Sequence, residues 1–168
     1  MSDVKELIAK QQIYQVLCEY CRGLDRMDKQ MAHSVWHDDA TVLYHNMFAG
    51  SANEFVQWVW GAHSNMQRHS HQIANSLIYV DGEKARSETY VTVELWRNPR
   101  EGEKQQQIVC KGRYLDQWSK RDEKWAISYR EFVLDMQSSR DLQNSSFSEV
   151  SKRDTSDPSY RVLADSAG

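Results

Sequence analysis

Apolar residues recur at three- and four-residue steps through residues 4–24 (Val4, Leu7, Ile8, Tyr14, Leu17, Cys18, Cys21, Leu24), which predicts an amphipathic helix with Gly23 as its stop. A second short helix is predicted over residues 29–36, and Asp38-Asp39 breaks that pattern before a β-prone run at 41–44. Ser51-Ala-Asn-Glu54 has the S-x-x-E spacing of a capping box and predicts a helix over residues 54–62. Beyond His63 the texture changes. Residues 73–80 and 85–96 read as long strands around Asp81-Gly82, and 107–118 and 124–136 as a second hairpin turning at 120–123. Helices followed by a meander of strands predict an α+β domain in which one curved sheet wraps a helix.

Residues 137–168 differ in kind: nine of these 32 residues are serine and apolar positions are scattered, too few to fold alone. The division expected is a domain over residues 1–136 and a C-terminal extension over 137–168, docked on its own or a neighbouring subunit.

Composition narrows the class. With 168 residues, 40% of them hydrophobic, the chain fits one domain with one core. Twenty-one Lys and Arg against 24 Asp and Glu give a net charge of −3 and no basic surplus for phosphate backbones, so nucleic acid is not an expected partner. A mean hydropathy of −0.76, with no apolar run of membrane-spanning length and no apolar stretch at the start, predicts no membrane association and a cytoplasmic location. Cys18, Cys21 and Cys110 are too few for a disulfide framework; the C-x-x-C pair lies at helical spacing and reads as core packing. What stands out is a ring surplus of six Trp, eight Tyr, four Phe and six His.

Candidate chemistry centres on Asp25, His69 and His71. Asp25 falls at the end of the first helix, where a carboxylate opposes the helix dipole; as an ordinary residue it would be a turn aspartate. His69 and His71, two apart in a strand, share one face. A carboxylate from the helix end beside them would fix an imidazole's tautomer and raise its basicity. The same residues with Asp38 or Asp39 could imitate a two-His-one-carboxylate metal site, but no third ligand stands at a characteristic spacing, and no metal or organic cofactor is expected. Strand alternation puts Arg86, Glu88, Tyr90, Thr92, Glu94 and Trp96 on one face and Ala85, Ser87, Thr89, Val91, Val93 and Leu95 on the other. It groups Arg130 with Ala126, Ser128, Phe132 and Leu134. An inward arginine requires an anionic partner or a ligand, here Glu88, Glu131 or substrate. Trp118 and Trp125 read as a cross-strand pair.

The ordered set Tyr20-Cys-Arg-Gly-Leu-Asp-Arg-Met-Asp28, His37-Asp-Asp-Ala-Thr41, Phe48-Ala-Gly-Ser51, His71-Gln-Ile-Ala-Asn75, Val80-Asp-Gly82, Gly112-Arg-Tyr-Leu-Asp116, Lys120-Arg-Asp-Glu-Lys-Trp125 and Arg153-Asp-Thr-Ser-Asp-Pro-Ser-Tyr160 resembles the SnoaL-like branch of the nuclear transport factor 2 superfamily. The resemblance implies a cone-shaped α+β barrel, a curved mixed or antiparallel sheet round a long N-terminal helix, with a pocket at one end. Within the superfamily the alignable chemistry is that of scytalone dehydratase and hexachlorocyclohexane dehydrochlorinase. It implies His71 as general base, Asp25 as its partner, and Tyr44 and Arg130 as groups polarising the substrate. Two positions depart: Glu88 stands near where the dehydratase has a second histidine, and Tyr20 where the dehydrochlorinase has a basic residue.

The function expected is a cofactor-independent lyase, a dehydratase or related eliminating enzyme, acting on a hydrophobic aromatic or cyclic small molecule. Carbon–carbon cleavage of a lignin-derived diaryl compound with loss of formaldehyde uses the same parts. Alternatives are a ketosteroid-type isomerase and a non-catalytic small-molecule-binding or scaffold protein of the same fold. Tyr20, His45, Phe48, His69, Asn75, Glu88, Tyr90 and Trp96 are the expected substrate-binding residues. A homodimer or homotrimer is expected, on the reading that Val91, Val93 and Leu95 face outward.

Overall fold

The computed structural model of the chain describes residues 2–99, 101–143 and 145–164. Its elements run α1 (Ser2–Asp25), α2 (Lys29–Ser34), β1 (Trp36–Tyr44), β2 (Phe48–Ser51), α3 (Ala52–Ser64), β3 (Met66–Asp81), β4 (Lys84–Arg97), β5 (Gln106–Arg121), β6 (Lys124–Asp141) and α4 (Pro158–Leu163). The strands form one six-stranded sheet in the order β2-β1-β6-β5-β4-β3, antiparallel except where β1 runs parallel to β6. This is the α+β architecture expected, an unclosed curved sheet packed on α1.

Local chemistry accounts for the joints. The Ser51 hydroxyl accepts from the Glu54 N–H while the Glu54 carboxylate accepts from the Ser51 N–H, closing the capping box at the start of α3. The β3–β4 hairpin turns at Gly82, φ +59°, and the β5–β6 hairpin at Asp122 and Glu123, φ 48° and 60°. Helix α1 buries Ala9, Ile13, Val16, Leu17, Tyr20, Cys21 and Leu24 against the sheet, together with Phe55 and Val56 of α3 and Tyr114, Trp118, Ile127 and Phe132 of β5 and β6.

Several expectations are corrected. In the first two turns of α1, Val4, Leu7 and Ile8 are exposed, so the buried face of the helix starts only at Ala9. Gly23 does not end the helix; a Cβ there would lie 2.8 Å from the Ala32 nitrogen, so it is the contact point for α2. Asp38 and Asp39 do not break β1. They face solvent, with Arg121 on Asp39, while buried Trp36 and Ala40 anchor the strand. β3 begins at Met66 rather than near 73, because pairing with β4 along its length outweighs its polar opening. β6 continues to Asp141, five residues into the expected extension. Val91 is buried and Val93 packs against the core, so the face holding Ala85, Ser87, Thr89 and Val91 is the inner one, and these residues offer no outer surface for assembly. Trp118 pairs with Ile127 and Trp125 with Lys120; both rings are core residues, not a pair. A register shift after Gln117 changes the alternation of β6, so that Ile127 and Arg130, three apart, are both fully buried.

The described part of the extension packs at the opening of β3 and the end of β4. Phe147 packs on Trp96, Arg68 donates to the Ser151 carbonyl, Arg153 donates to the carbonyls of His63 and Met66, and the Tyr160 hydroxyl donates to Asp28. No helix among the described residues is long and apolar enough to cross a membrane.

Candidate active site

The end of α1 and the opening of β3 meet at two histidines. His71 donates twice to Asp25, from Nδ1 to Oδ1 at 2.7 Å and from its backbone N–H to Oδ2 at 3.0 Å. Both carboxylate oxygens are thereby committed, the ring is fixed in its Nδ1–H tautomer, and Nε2 carries the free lone pair. The His71 side chain is 4% exposed and that of Asp25 17%, so the dyad is desolvated but reachable beside the carboxylate. His69 Nε2–H donates to the Leu24 carbonyl at 2.7 Å, a carbonyl in the last turn of α1 that also accepts from the Met27 N–H at 3.0 Å.

A third imidazole completes the cluster. His63, on the last turn of α3, lies 4.2 Å from His69 and 5.4 Å from His71 between ring centroids. Burial pushes the His69 imidazole down to about 4, with the neighbouring His71 and Arg153 charges adding to the fall and the Leu24 carbonyl and Asp25 opposing it. Burial, with His71, His69 and Arg153, holds His63 well below its ordinary value. Both are therefore neutral beside the dyad. Sequence patterning did not single out His63, although it continues the buried stripe Ala52, Phe55, Val56, Val59 of α3. The rings of His63 and His69 pack against each other at an interplanar angle of 34°, and no group of three His, Cys, Asp or Glu among the described residues is arranged to hold a metal ion. Asp38 and Asp39 are exposed on β1.

Arg130 forms a second buried group. Its Nε and Nη2 donate to Asp116 Oδ1 and Oδ2 at 2.7 and 2.8 Å, with both side chains fully buried. The guanidinium lies 3.9 Å from the Tyr114 ring centroid, 4.3 Å from Tyr20 and 5.3 Å from Trp36. Burial works against its charge, but Asp116 and the phenols hold it well above the ordinary arginine value. Its partner is thus Asp116, opposite it on β5, and not Glu88, which pairs with Arg113, or Glu131, which takes His45 and the Tyr129 hydroxyl. The hydroxyls of Tyr20 and Tyr44 are 3.2 Å apart, and burial raises both phenols.

The remaining candidates do not join these groups. His45 is exposed in the β1–β2 turn, since its ring swings out to Glu131 at 2.6 Å. Phe48 packs on Phe55 and Trp58 under α3. Asn75 is exposed and carries φ 45° at a β3 bulge. Glu88 and Tyr90 alternate with buried Ser87, Thr89 and Val91 and so lie on the outer face; Trp96 is covered by Phe147.

Among solved structures, a protein assigned as a scytalone dehydratase from Novosphingobium aromaticivorans is 20% identical over 87% of this chain and 95% of its own, with a TM-score of 0.72. The type-2 hexachlorocyclohexane dehydrochlorinase LinA is 18% identical over 87% and 97%, with a TM-score of 0.73. A Mycobacterium tuberculosis protein of unknown function, Rv3472, solved as a single-substitution variant, is 22% identical over 77% and 73%, with a TM-score of 0.64. At these identities the likeness is one of fold. No curated protein matches the sequence. The profile of the SnoaL-like domain matches residues 5–131, which hold every strand but the end of β6, the dyad and the Arg130–Asp116 pair, and the chain therefore belongs to the SnoaL-like family.

Proposed function

We propose that the protein is a cofactor-independent lyase acting on a hydrophobic ring-bearing small molecule, with His71 as general base. The observation that carries this reading is the double hydrogen bond from His71 to Asp25, which aims an unoccupied, desolvated Nε2 away from the carboxylate. In an elimination, Nε2 takes the proton from a carbon next to the one bearing the leaving group. The C–H electron pair becomes the new double bond, the leaving group departs with its own pair, and Asp25 stabilises the imidazolium formed. Tyr20, Tyr44 and Arg130 are the groups proposed to polarise the substrate oxygen or receive the leaving group. Ketosteroid-type isomerisation starts with the same C–H proton transfer; in carbon–carbon cleavage releasing formaldehyde from a diaryl compound, Nε2 would take the proton of a hydroxymethyl O–H instead, the O–H pair becoming the aldehyde C=O as the carbon–carbon bond pair leaves to the ring-bearing fragment.

Filling of the interior favours one competing reading, a non-catalytic scaffold: Tyr20, Tyr114, Phe55 and Arg130 are all at most 2% exposed. One experiment separates the two. A panel of cyclic and aromatic hydroxy and halo carbonyl compounds is screened by thermal shift and turnover is followed by mass spectrometry. The lyase reading expects turnover that is lost in His71→Ala and Asp25→Asn; turnover unchanged in His71→Ala, or ligands bound without any conversion, overturns it.

A further inference from the structure

Where the extension crosses β3, positive charge is left without a partner. Arg68 donates only to backbone carbonyls, Gln67 from Nη1 at 2.8 Å and Ser151 from Nη2 at 3.1 Å, and its guanidinium lies 5.5 Å from the Phe147 ring centroid. Arg153 likewise donates only to the carbonyls of His63 and Met66. Among the described residues no carboxylate is within ion-pair distance of Arg68, Lys152 or Arg153, and the Nε of each arginine is buried without a hydrogen-bond partner. Two guanidiniums that repel each other and keep idle buried donors are unfavourable unless an anion joins them. Burial and the Arg68 charge both push Arg153 below its ordinary value, against the pull of Asp25.

Beside them is room for such a group. A cavity of about 530 Å³ is lined by Arg68, Lys152, the serines 145, 146 and 148, and Glu149. Two cationic residues and three serines line it with one carboxylate residue, and Arg153 follows Lys152 in the chain. We propose that this cavity is an oxyanion site, taking a phosphate, sulfate or carboxylate group, as the free ion or as the end of an organic ligand. Gln67 and Arg68 at the start of β3 form one wall and residues 145–149 and 152 of the extension the other, so a bound oxyanion bridges Arg68 to Lys152 and fastens the extension to the opening of β3. Neither Asp25 nor His71 lines the cavity.

The full-length protein is titrated calorimetrically at low ionic strength with sodium phosphate, sodium sulfate and sodium benzoate, with sodium chloride as the reference anion. Saturable binding is expected for at least one oxyanion, weakened tenfold or more in Arg68→Gln and in Lys152→Gln and tightened severalfold in Glu149→Gln. A preference for phosphate and sulfate indicates the free ion, and a preference for benzoate an organic carboxylate. The bound oxyanion is also expected to slow chymotryptic cleavage after Phe147 in the parent protein and not in Arg68→Gln. Binding is expected to persist in His71→Ala, so it stands or falls separately from the lyase reading. Equal binding by the parent, Arg68→Gln and Lys152→Gln, or no binding beyond that of chloride, overturns the proposal.

Discussion

Asp25 binds His71 through both the ring and the backbone of the same residue, so one carboxylate fixes the position of β3 against α1 and the tautomer of the imidazole together. Replacing Asp25 by Asn keeps the size but offers one acceptor where two are used. Turnover on an identified substrate is expected to fall by about 10²–10⁴, the usual worth of a positioned acid–base group, with KM changed much less. Steady-state kinetics of Asp25→Asn beside His71→Ala provide the check; a raised KM with kcat unchanged would assign Asp25 to binding alone.

The Arg130–Asp116 pair is predicted to be a stability hazard when halved. Asp116→Ala leaves a buried guanidinium uncompensated and is expected to cost about 3–5 kcal/mol, while the double change Asp116→Leu with Arg130→Met recovers most of the loss. Urea unfolding of the three proteins measures this, and equal stability of the single and double variants contradicts it.

His63 and His69 make stability depend on pH in one direction. Their folded values lie below the ordinary imidazole value, His69 at about 4, so the unfolded chain binds protons that the folded chain refuses. Their contribution is fully present above about pH 6.5, the ordinary imidazole value, and is lost as the pH falls toward 4. Unfolding free energies across this window are expected to rise with pH, with a shallower slope in His69→Gln; an unchanged slope would show that His69 is not the group responsible.

Gly23→Ala tests the contact between the first two helices. The added Cβ would meet the backbone of Ala32 at 2.8 Å, and backbone cannot rotate away as a side chain can. A loss of about 1–3 kcal/mol is expected, read as a lowered Tm, with Gly61→Ala, at an exposed position of α3, neutral or slightly stabilising.

What the sequence determined by itself is what short-range chemistry dictates. The spacing of Ser51 and Glu54 set the start of α3, Gly82 one hairpin turn, and the three- and four-residue steps from Leu17 to Leu24 the buried face of α1. A helix end and strand parity narrowed the candidates to Asp25, His69 and His71, and it was the family resemblance that singled out His71 as the partner of Asp25. Tertiary structure decided matters that depend on which surfaces meet. Both faces of β4 carry residues able to be buried, and only docking on α1 made Thr89 and Val91 the inner ones and sent Glu88 and Tyr90 outward. The partner of Arg130 follows from the register of β5 on β6, which shifts after Gln117 and so cannot be counted from either strand alone. His63 reaches the dyad through helix packing, and Arg68 meets the extension across 83 residues of chain; contacts of that range leave no periodic signal, because each is made by apposition of separate elements and not by the local run of the backbone.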